Sequence, residues 1–151
     1  MGKGKKKQKK PKIPKPNISA TIQAPSLNQI EIPYRSSKPV FSFEFYDIKH
    51  AKYTAYSFTN CSDLCLVFKH LKRLSSMTWE QIESGKNRAH EVTWAITKEK
   101  KGFPQRLGNK PSLFPPYSFQ LFGRVRVYGF HCERTFNIVW FDTNHEIHPD
   151  G

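Results

Sequence analysis

The chain has 151 residues, with 25 Lys and Arg against 12 Asp and Glu, for a formal net charge of +13 at pH 7. That length suits one domain, and so positive a field attracts polyanions, either nucleic acid or an anionic membrane surface. No apolar run approaches the roughly 18 residues of a membrane span, no secretory or transit pattern is present, and the odd count of three cysteines argues against a disulfide framework, so a cytoplasmic protein is expected.

Residues 1–16 carry eight Lys and no acid. They have too little apolar surface to offset ordering, so a disordered arm is expected there. Its lysines, among them Lys5, Lys6, Lys7, Lys9 and Lys10, suit phosphates as point charges without base specificity. A solubilising tail is the plainer alternative. Residues 17–39 are polar and broken by Pro25, Pro33 and Pro39. They read as a linker with an edge strand near 30–34, which leaves 40–151 as a single α+β domain. Over residues 1–40, nine Lys and one Arg face Glu31 alone, whereas the remainder holds fifteen basic and eleven acidic side chains.

The globular part opens at residues 40–46, where Phe41, Phe43 and Phe45 alternate with Ser42 and Glu44, the period of a half-buried strand. A helix is expected from Ser62, as N-cap, to about Leu74, with Leu64, Val67, Phe68, Leu71 and Leu74 as its apolar stripe. Lys72 and Arg73 fall in its last turn, where the helix dipole favours cations and where they could also meet phosphate. A second, shorter helix follows from Thr78, because Thr78 and Gln81 have the capping-box spacing and Gly85 can end it.

Residues 86–118 are interrupted by Gly102, Pro104, Gly108, Pro111, Pro115 and Pro116 and form a long loop, more often functional than idle in a small domain. Arg88, His90 and Trp94 mix cationic and aromatic groups within it. Runs 119–130 and 135–141 are aromatic and β-branched, and 131–134 is a plausible turn between them. The domain is thus an antiparallel sheet packed on two helices. Cys61, Cys65 and Cys132, with His131, lack a second pair at zinc-finger spacing. They are read as buried or half-buried thiols, with no metal or other cofactor.

No nucleotide-binding, dehydrogenase or hydrolase fingerprint occurs. The remaining candidates gather in the C-terminal hairpin. Arg124 and Arg126, two apart on a strand, share a face, and a hairpin returns His145 towards them, with His90 as a further imidazole. Two guanidinium groups and an imidazole around one concavity suit a phosphate whose charge grows in a transition state. Trp94, Tyr117 and Tyr128 are candidate platforms for stacked bases.

The run Phe122-Gly-Arg124-Val-Arg126-Val-Tyr128, then Phe136-Asn-Ile-Val-Trp-Phe141 and His145-Glu-Ile, resembles the C-terminal half of RelE/ParE-like bacterial toxins over about 30 residues. The resemblance implies a small twisted sheet on two helices and metal-independent endoribonuclease cleavage of mRNA, often on the ribosome. It also implies an antitoxin, protein or RNA, as partner. Arg124 or Arg126 matches the family's phosphate-stabilising Arg, and His145 its C-terminal basic or His residue. A non-catalytic RNA- or ribosome-binding protein is the alternative.

Overall fold

A computed structural model describes residues 35–149. Its centre is a five-stranded sheet of order β1-β5-β4-β3-β2, with β1 at Val40–Ser42, β2 at His90–Glu91, β3 at Pro116–Phe122, β4 at Val125–Cys132 and β5 at Thr135–Asp142. The sheet is mixed rather than wholly antiparallel, as β1 runs parallel to β5 while the other pairs are antiparallel. The single strand expected over 119–130 is two strands, folded at Gly123–Arg124 so that Phe122 pairs with Val125. Gly123 supplies the positive φ, +49°, that such a tight loop requires.

Both faces of this sheet are covered, so β4 and β5 read as nearly continuous apolar runs. Phe119, Leu121, Val127, Phe136 and Ile138 face one core, and Tyr128, Phe130, Val139 and Trp140 face the other. The first core is closed by helix α1, Cys61–Leu74, and helix α2, Trp79–Ser84. Asn60, not Ser62, caps α1, its Oδ1 accepting from Asp63 N at 2.8 Å. Val67, Leu71 and Leu74 are buried as the period requires, but Phe68 is 57% exposed. The expected capping box of α2 forms, with Thr78 Oγ1 accepting from Gln81 N and Gln81 Oε1 accepting from Thr78 N. The first helical amides of α2, Trp79 N and Glu80 N, donate to Ser37 O and Arg35 O, which satisfies donors a helix leaves open. Residues 35–37, assigned from sequence to the linker, are therefore tied to the domain.

The alternating Phe residues do not share a face. Phe41 packs in the helix-side core, Phe45 in the opposite one, and Phe43 is 44% exposed, because β1 ends at Ser42 and the chain turns over the sheet. On that second side, buried Asp47 accepts from Arg106 Nη2 at 2.6 Å and from Trp140 Nε1 at 3.1 Å. Burial alone would raise its pKa, but the bonds from Trp140 and Arg106 hold it below the ordinary carboxylate value. The loop around Arg106 is thereby fastened over the sheet. Among the described residues, no helix is long and apolar enough to cross a membrane.

Candidate functional site

Arg126 lies within β4, between Gln120 of β3 and Asp142 of β5, and is only 3% exposed. Its Nε donates to Ser118 Oγ at 3.1 Å and its Nη2 to Arg88 O at 3.1 Å. Arg88 has φ +47°, a conformation a non-glycine residue adopts at some cost. In that conformation its carbonyl also meets His90 Nδ1 at 2.8 Å. A carbonyl only accepts, so His90 Nδ1 donates this bond.

Arg88, Gln120, Gly123, Arg124, Arg126 and His145 line one concavity of about 150 Å³. Arg124 is exposed on the turn rather than on the strand, so its presence beside Arg126 follows from the hairpin's fold and not from strand alternation. Among the described residues, none of the three guanidinium groups is in an ion pair. Asp142, which opposes Arg126 across the ladder, spends its carboxylate elsewhere. It accepts from Asn144 N at 3.3 Å, Glu146 N at 3.0 Å and Ile147 N at 2.7 Å. Burial lowers the pKa of Arg126, as does Arg88 nearby, yet a guanidinium stays cationic in proteins.

The turn wrapped on Asp142 carries His145 at φ +59°, the second strained residue at this concavity. Its Nε2 is shielded from solvent and has no hydrogen-bond partner among the described residues. Burial first, then the charge of Arg126, depress its pKa below the ordinary imidazole value, against the pull of Asp142. The imidazole is therefore neutral at pH 7 and able to accept a proton.

Arg88, Arg124, Arg126 and His145 thus come together, and other expected residues do not. His90 stands behind the concavity, joined to it through Arg88 O, with its ring 6.1 Å from that of His148. Tyr128 is fully buried and Tyr117 5% exposed, so neither can stack a base, because both were drawn into the two cores. Burial pushes the Tyr128 hydroxyl up to about 12. Trp94 packs against Phe103 and Trp140 in the second core. Lys72 is exposed at the end of α1, and Arg73 lines a neighbouring groove. Lys5, Lys6, Lys7, Lys9 and Lys10, and the strand expected near 30–34, lie outside the described residues. Cys61 and Cys65 are exposed rather than buried, and Cys132 is half-buried. Among the described residues, no group of His, Cys, Asp or Glu is arranged to hold a metal ion.

The sequence had singled out neither Gln120, which lines the concavity, nor Asp142 as the residue that shapes the His145 turn. Asp followed by Thr-Asn is an Asx-turn signal. Gln120 offers none, since its place depends on pairing with distant residues. No protein-family model, no curated protein and no solved structure matches the chain.

Proposed function

We propose that this protein is a metal-independent endoribonuclease that binds a phosphodiester between Arg88, Arg124 and Arg126. One observation carries this: three guanidinium groups, none in an ion pair among the described residues, line one concavity beside the imidazole of His145. Grouped cations repel one another and are costly to bury, so the arrangement calls for an anion. Its size suits a phosphoryl group, and the protein's net charge suits a polyanion that carries one. The RelE/ParE-like identity belongs to the same proposal, supported by two helices that precede and cover the β3–β4–β5 meander. A cytoplasmic mRNA substrate, the ribosome as platform and an antitoxin partner come with it.

In this mechanism the neutral imidazole of His145 takes the proton from the ribose 2′-oxygen as that oxygen attacks phosphorus. The bond from phosphorus to the 5′-oxygen breaks, leaving a 2′,3′-cyclic phosphate and a 5′-oxygen that takes a proton from water to become a hydroxyl. Arg88, Arg124 and Arg126 hold the non-bridging oxygens as their charge grows. The base is ready at neutral pH because its pKa is depressed.

The test is cleavage of total RNA by purified protein in EDTA. His145→Ala should lower the rate about 10²–10⁴-fold with RNA affinity nearly kept, since a neutral imidazole adds little to the salt-dependent term. Arg124→Ala with Arg126→Ala should lose both. Cyclic-phosphate ends should disappear when the 2′-hydroxyl at the cut is replaced by hydrogen. Wild-type protein that binds RNA and never cuts it, with or without ribosomes, would leave the site as a phosphate-binding one in a non-catalytic RNA-binding protein.

A further inference from the structure

Beside the phosphate concavity lies a larger groove of about 430 Å³, walled by the end of α1, the segment after α2, and β3. Arg73, Met77, Lys86, Asn87, Gln120 and Phe122 are among its lining residues, and Gln120 lines the phosphate concavity as well. Asn87 holds the wall together: its Nδ2 donates to Gln120 O at 2.7 Å, and its O accepts from Gln120 N at 2.6 Å. Gln120 thus borders both the groove and the phosphate concavity. The volume falls in the range of about 300–1,000 Å³ typical of small-molecule sites, whereas the phosphate concavity is below it.

The chemistry of the lining is one-sided. Met77, Leu121 and Phe122 offer apolar surface, with Phe122 set against His70 at a ring separation of 5.1 Å. The charged groups are Arg73 and Lys86, both donors only, and among the described residues no carboxylate lines the groove. Asn87 Oδ1 is already approached by Arg73 Nη2 at 3.5 Å, a weak bond that a better acceptor would replace. Neither Arg73 nor Lys86 is in an ion pair among the described residues. The groove thus presents apolar walls and donors to a flat group rich in acceptors, one nucleotide's reach from a phosphate. A guanine edge, with O6 and N7 both accepting, is the base that answers this best.

We propose that the groove is the base subsite for an unpaired guanosine adjoining the phosphate held by Arg88, Arg124 and Arg126. It rests on the phosphate site of the proposed function, but not on cleavage there. A base can enter only from single-stranded RNA, because the edge and faces it offers are hidden in a duplex.

The test is binding of the full-length protein to short 2′-O-methyl oligouridylates, which cannot be cut by 2′-oxygen attack, carrying one guanosine, 7-deazaguanosine or adenosine. The guanosine oligomer should bind about five- to 150-fold tighter than the adenosine one. The 7-deaza oligomer, lacking the N7 acceptor, should lose most of that ratio. Arg73→Gln should abolish the ratio, and Lys86→Ala should reduce it. The ratio should also persist between about 50 and 200 mM salt, while affinity for every oligomer falls. Equal binding of guanosine and adenosine oligomers overturns the subsite. So does an Arg73→Gln variant that weakens all of them alike with a flatter salt slope, since Arg73 would then be a phosphate contact. If the wild type keeps the guanosine ratio yet cuts no RNA, the subsite stands and the nuclease fails. Cleavage with no preference for flanking bases, and an equal ratio in binding, has the opposite meaning.

Discussion

At the scale of single residues, His131 and His145 share a depressed pKa and differ in what it does. His131 is packed edge-on against Trp79, Tyr117 and Phe136, and burial takes its pKa from 6.5 to about 4. Between those values the unfolded chain binds a proton that the folded chain refuses, so folding stability rises with pH there and falls as pH drops. The shift corresponds to about 3 kcal/mol, lost progressively from about pH 6.5 down to pH 4. Denaturant unfolding at a series of pH values should show this slope, and His131→Phe should flatten it. An equal slope in the variant would place the proton uptake elsewhere, with His145 next in line since its shift has the same sign. Asp47 contributes only at lower pH, as its carboxylate protonates beneath the ordinary value of 3.8. For His145 the consequence, under the proposed mechanism, is catalytic. Cleavage, as kcat/KM, should rise with pH through an apparent pKa below 6.5 and then level off.

At the scale of elements, the joint between β4 and β5 is the least forgiving. The ladder slips between Tyr128 and Gly129, so that Tyr128 pairs with Trp140 and Gly129 with Ile138, leaving Val139 as the extra residue of a bulge. A Cβ on Gly129 would stand 2.1 Å from Asn137 O and 2.8 Å from the Phe136 ring. Gly129→Ala should therefore cost about 3 kcal/mol or more, read as a lower denaturation midpoint. A loss within about 0.5 kcal/mol, the range of an ordinary surface change, would mean that the bulge relaxes freely. These same elements show which features local sequence can carry. The capping box of α2 was legible because its determinants, Thr78 and Gln81, are neighbours that bond each other. The β3–β4 turn was hidden because a sheet buried on both faces erases alternation, and of the two glycines in the run, Gly123 and Gly129, only the first lies at a turn. β2 is two residues whose pairing with Tyr117 and Ser118 is set wholly by the distant strand. The cluster of Arg124, Arg126 and His145 was anticipated because β5 does return beside β4, although Arg124 reaches it from a turn. Tyr128 was misplaced because an aromatic beside arginines looks the same in sequence whether it faces solvent or a core.

At the scale of the whole molecule, charge and geometry are divided along the chain. Residues 1–16 contribute eight of the 25 Lys and Arg, whereas every described group lining the proposed phosphate concavity and the adjoining groove lies between Arg73 and His145. Phosphate contacts from lysines add affinity without selecting sequence, and each one lost from a single strand removes about 0.7 from the slope of log K against log salt. Base selection, by contrast, requires donors fixed in place, which in the proposed subsite the end of α1 and the segment after α2 supply through Arg73 and Lys86. Deleting residues 1–16 should therefore weaken RNA binding most at low salt and flatten the salt slope. The preference for guanosine and the positions of the cuts should stay as in the full chain. Titrations at several salt concentrations, with cleavage products mapped in parallel, check both halves. An unchanged slope would return the lysines to a solubilising role, whereas displaced cuts would mean that the basic arm helps to choose where the RNA enters.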